Sequence, residues 1–80
     1  MIESAAIRVG KKIYSLPAPH RHHHIIHKFK LKQPREDDQG FIDSKHGYVR
    51  RVPAMKIAFL AGQLKGKTVH PTKLFSEDLW

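Results

Sequence analysis

The chain has 80 residues and a mass of 9.3 kDa, enough for one small domain spanning residues 1–80 and no more. Size scaling gives a folded surface of roughly 5,000 Å² against roughly 13,500 Å² unfolded, about 63% buried, which is marginal for a lone chain and favours self-association into a homo-oligomer. There is no cysteine, which excludes disulfides and thiolate metal sites, and 15 Lys+Arg against 7 Asp+Glu leave a charge of +8, to which seven histidines add as pH falls.

Leu, Ile, Val and Phe supply 21 of the 80 residues, above the roughly 20% below which chains stay disordered. No apolar run approaches the ~18 residues of a membrane span. Met1 to Arg8 lack the basic and apolar regions of a secretory signal. A cytoplasmic chain with no membrane partner is expected. The charge surplus favours an anionic partner: a nucleotide, a nucleic acid or an acidic protein surface.

Ala5–Val9 and Lys12–Leu16 are rich in β-formers around Gly10-Lys11, the pattern of a hairpin with a type II′ turn. Ile7 and Val9 share the face expected to be buried. Leu16-Pro17-Ala18-Pro19 ends the second strand, because proline cannot donate to a ladder. His20–Leu31 then reads as a helix with Ile25, Ile26 and Phe29 on one side. His20, His24 and His27 lie on the opposite side, with His23 beside them. Lys32–Gln39 is a polar loop with a short acidic cluster that solvates the surface or offsets nearby lysines.

A second hairpin is expected from Gly40–Asp43 and Tyr48–Arg51 around Ser44-Lys45-His46-Gly47. Pro53 suits the first turn of a second helix, whose stripe is Ile57, Leu60, Ala61 and Leu64 and whose stop is Gly62. Val52 is a poor N-cap for it. The apolar residues of Leu74–Trp80 predict a docked tail. The order predicts an α+β fold, ββαββα: two hairpins in one antiparallel sheet with both helices on one face.

Histidines three and four apart suit a transition metal in spacing. No acidic or thiolate ligand accompanies them, and Arg21 and Lys28 add positive charge, so an anion-binding face is expected and a metal is not. The alternative is a plain solvated helix face. Phe41 and Tyr48 are candidate stacking platforms, with Arg50 and Arg51 as forked phosphate donors; if they are structural instead, Phe41 and Val49 are core and the arginines solvated. His70-Pro71-Thr72 matches one His-x-Thr element of two-histidine phosphoesterases, which need two, and Ser44 near His46 reads as a turn serine. No phosphate-cradling glycine loop is present. A binding protein, not an enzyme, with no cofactor, is expected.

Arg21–Ile26, Gln39–Ser44, Gly47–Arg51, Ala54, Ile57-Ala58, Ala61–Gln63 and above all the closing Leu74-Phe75-Ser76-Glu77-Asp78-Leu79-Trp80 resemble small phage and prophage proteins over about three-quarters of the chain. Those proteins usually open the last helix with an acidic or serine cap and Glu-Ala, where this chain has Arg51-Val52-Pro53-Ala54. The architecture also resembles the first type of Thoeris anti-defence proteins. This resemblance implies a sponge in the host cytoplasm that sequesters a cyclic ADP-ribose signal or a cyclic dinucleotide between protomers. The alternative is a basic phage inhibitor that binds a host defence protein or nucleic acid. On the sponge reading the anion site comprises His20, Arg21, His23, His24 and His27 with Phe41, Tyr48, Arg50 and Arg51.

Overall fold

A computed structural model describes residues 1–80. Its elements are β1 (Ile2–Val9), β2 (Lys12–Ser15), α1 (His22–Phe29), β3 (Gln39–Asp43), β4 (Gly47–Arg50) and α2 (Arg51–Leu60), with short 3-10 turns at Glu36–Asp38 and Ser76–Asp78. The four strands form one antiparallel sheet in the order β2-β1-β3-β4. Both expected hairpins are present, and the long-range pairing of β1 with β3 joins them. The fold is the ββαββα arrangement that the pattern predicts.

One sheet face carries the core. Ala5 pairs with Phe41, and Phe41 with Val49, so these three share a face. Ile7 stands beside Ala5 on it, and Ile25, Ala54, Ala58, Leu74 and Leu79 pack above. Ile2 joins the same face although it is three residues from Ala5. A register shift between Ile2 and Ser4 supplies the extra residue that restores the alternation. On the reverse face Ala6, Gly40 and Arg50 are paired neighbours, as are Ser4, Ile42 and Tyr48. Tyr48 lies across Gly40 there. A Cβ on Gly40 would stand 2.3 Å from the Val49 carbonyl oxygen and 2.8 Å from the Tyr48 ring tip, so only glycine fits.

Three expectations change. Val9 is 48% exposed instead of buried, because β3 pairing stops at Ile7 and nothing covers the strand end. α1 is shorter than His20–Leu31: Lys30 takes φ +54, and the Leu31 amide turns back to the Ile26 carbonyl. α2 starts at Arg51, with Arg50 as an N-cap lacking a side-chain bond, and it rests on Ala54 and Ala58. The expected stripe is therefore rotated by about one residue, or 100°. Ile57 and Leu64 are half-buried, while Leu60 is 83% exposed. Gly62, at φ +69, does stop the helix, sending its amide to Phe59 and the Gln63 amide to Ala58.

The tail docks as expected. Leu74, Ser76, Asp78 and Leu79 are buried. Asp78 accepts the Val69 and Phe75 amides, each at 2.9 Å, and the Leu74 amide reaches the Arg51 carbonyl at 3.0 Å.

Candidate functional site

Packing His22 and Ile25 against the sheet turns the rest of the histidine run outward. His20, His23, His24 and His27 then line one open groove of about 550 Å³ with Leu16 and Lys28, and no carboxylate is among its walls. The structure thus brings together the four histidines picked out in the sequence. The His23 and His24 ring centres are 4.1 Å apart, and His20 meets His24 edge-on at 5.5 Å. His20 Nδ1 donates to the Pro17 carbonyl at 2.8 Å, while His24 Nδ1 accepts the Arg21 amide at 2.8 Å. Dehydration, then the neighbouring His23, His20 and Arg21, hold the His24 pKa below the usual imidazole value. No three His, Asp or Glu side chains are arranged to hold a metal. The groove offers imidazole N–H groups and one ammonium to a guest, which is donor chemistry for an anion.

The other expected residues do not join this groove. Arg21 is engaged: its Nε donates to the Trp80 carbonyl at 2.9 Å, its terminal nitrogen reaches the same oxygen, and Trp80 Nε1 returns a bond to His20 O at 2.9 Å. The closing Leu-Phe-Ser-Glu-Asp-Leu-Trp segment is therefore a structural clasp onto the start of α1. Phe41 is fully buried, so its ring meets His22 edge to face inside the core, centre to centre 5.1 Å, and no ligand. Tyr48 sits on the reverse sheet face with the Arg8 guanidinium 5.8 Å from its ring. Its buried hydroxyl has no hydrogen-bond partner, and burial raises its pKa.

Arg50 and Arg51 line a second pocket of about 300 Å³ with Glu36, Asp37, Val52, Pro53 and Lys73. Of the two arginines, Arg50 is exposed and Arg51 half-buried. Arg51 is helical, not the last strand residue, so strand alternation does not place it. Its guanidinium covers the Phe75 ring at 4.4 Å and donates to Gln39 Oε1 at 3.2 Å. Lys73 is paired with Glu36, so acid offsets much of this pocket's charge, as the acidic loop cluster suggested. That Lys73 is the partner carries no signal in the sequence, because it lies 37 residues from Glu36 and meets it only through folding.

Two further polar centres are structural. His22 donates Nε2–H to the Gly40 carbonyl at 2.7 Å, and burial lowers its pKa to about 4. Asp43, 3% exposed, accepts the Met1 amino group and His46 Nδ1, each at 2.6 Å, and the Lys45 and His46 amides. The Met1 ammonium above all holds its carboxyl well below the usual carboxylate range. An Asp before a Ser-Lys-His-Gly turn is a readable sign of that role. His70 Nδ1 accepts the Thr72 and Lys73 amides at 3.1 and 3.2 Å, so the His-x-Thr element builds a turn.

Fold and site together define a small basic α+β domain with an imidazole-lined groove. The model of the phage T4 y16D protein family matches residues 1–80, and the chain belongs to that family. No curated protein and no solved structure matches the chain significantly. No helix is long and apolar enough to cross a membrane.

Proposed function

We propose that this phage protein binds a phosphate-bearing nucleotide in the histidine groove and sequesters it uncleaved. The observation that carries the reading is the groove itself: four imidazoles and Lys28 around about 550 Å³, with no carboxylate to repel an anion. That volume falls within the range of small-molecule sites, and a cyclic dinucleotide or cyclic ADP-ribose fits its chemistry. The stacking faces are the imidazoles of His23 and His24 in place of Phe41 and Tyr48. The use of His70 in a turn supports binding over turnover. In a phage family such capture would silence a cyclic nucleotide immune signal in the host cytoplasm, and a second copy across the open groove would enclose the guest.

Calorimetry with a cyclic dinucleotide and with cyclic ADP-ribose tests this. Replacing His23 or His27 singly by alanine should weaken binding roughly 10- to 150-fold, the range for losing a charge-assisted contact. Lys11→Ala, on the first hairpin turn, should not. No uptake by the native chain, or recovery of a linearised nucleotide after denaturation, would refute the proposal. A second reading, a basic inhibitor of a host protein, is favoured by the outward face of α2.

A further inference from the structure

The exposed surface of α2 is apolar where a solvated helix would be polar. Phe59 is 69% exposed and Val52 47%, and with Met55 they follow one another at helical spacings of three and four. Met55, Lys56 and Phe59 form one wall of a groove of about 330 Å³, and Leu64, Thr68 and Pro71 on the returning loop form the other. Val69, next to Thr68 in the chain, is also 62% exposed. Contiguous exposed apolar surface of this kind marks an interaction site.

Charge identifies the occupant. Residues 50–75 contain six Lys or Arg and no Asp or Glu. Arg50 lines the other pocket, Arg51 is half-buried and Lys73 is paired with Glu36, which leaves Lys56 on the groove wall and the exposed Lys65 and Lys67 on the loop beside it. A second copy of this chain offers poor complementarity. Of its seven acids Asp43 and Asp78 are buried and Asp38 and Glu36 are paired with Arg8 and Lys73, which leaves only Glu3, Asp37 and Glu77, on three separate elements, against fifteen Lys and Arg. A nucleic acid would meet a floor of Met55, Phe59, Leu64 and Pro71, none of which donates to phosphate. We infer that the groove between α2 and the 64–71 loop docks an acidic amphipathic helix of another protein, whose apolar side chains fill the groove while its carboxylates meet Lys56, Lys65 and Lys67. This inference is independent of the histidine groove.

The test is fluorescence anisotropy of the full chain with a labelled helical peptide of about 18 residues, leucine on one face and glutamate elsewhere. A peptide with lysine for glutamate is the comparison. The acidic peptide should bind and the basic one should not. Phe59→Ser, a change at an exposed site, should keep the native circular dichroism and weaken binding roughly 10- to 30-fold, as for a hot-spot side chain. Lys65→Glu with Lys67→Glu should weaken it further. The inference fails if no binding occurs below about 100 μM, if both peptides bind alike, or if Phe59→Ser leaves the affinity unchanged. It also fails if Phe59→Ser abolishes capture of a single-stranded oligonucleotide, or if sedimentation shows a native dimer that Phe59→Ser dissociates.

Discussion

The two hairpin–helix halves place their helices on the same sheet face by different means. α1 docks through the large Ile25 and the buried imidazole of His22, and leaves histidines and a lysine outside. α2 docks through Ala54 and Ala58, side chains small enough for the helix backbone to approach the sheet, and leaves Val52, Met55 and Phe59 outside. Where a helix needs a large side chain inward, its apolar residues go to the core or to a neighbouring ring: Ile25 is buried, Ile26 half-buried, and Phe29, 40% exposed, lies 5.0 Å from Tyr14 centre to centre. Where alanines suffice, they remain free for a partner.

The largest expected effect breaks the docking contrast. Ile25→Ala should cost roughly 2–5 kcal/mol in urea unfolding, because it empties a fully buried site. Ala58→Leu should cost roughly 1–3 kcal/mol for the opposite reason, since it forces α2 off β3. If Ala58→Leu were neutral, the close approach of α2 would not depend on its alanines.

His22 makes the contrast pH-dependent. Its folded pKa of about 4 lies below the ordinary value of 6.5, so the unfolded chain binds its proton first as pH falls. Stability is therefore complete above pH 6.5 and declines toward pH 4, by about 2–3 kcal/mol between about pH 7.5 and 4.5. His24 acts in the same direction. Asp43, whose pKa is depressed, contributes only as pH falls below the ordinary carboxylate value. Urea melts of His22→Gln across that window should show a much flatter profile, and an unchanged slope would remove His22 from the account. No buried imidazole supports α2.

The helix ends sharpen the comparison by the smallest margin. Both close on a left-handed residue, Lys30 at φ +54 after α1 and Gly62 at φ +69 after α2. A side chain there costs about 1 kcal/mol, so Lys30→Gly should stabilise and Gly62→Ala destabilise by about that amount in thermal unfolding. Equal melting temperatures would mean that Lys30 is relieved by contacts of its own.

Local chemistry made the secondary structure legible. The Gly10-Lys11 turn, the stop at Gly62, the histidine face of α1 and the docked Leu74–Trp80 tail all follow from residue spacing and turn preference, which act over a few residues. The composite anion site was not legible. Strand alternation cannot say which face of a two-sided sheet receives the helices, and here it received them on the face of Phe41, which removed that ring from any ligand. Arg21 and Arg51 each met a partner distant in sequence, Trp80 and Phe75, and a cation so engaged looks identical in sequence to a free one. Residue identity alone set the charge and the imidazole row. Long-range packing decided which of those groups stayed exposed, because burial depends on what arrives from elsewhere in the chain.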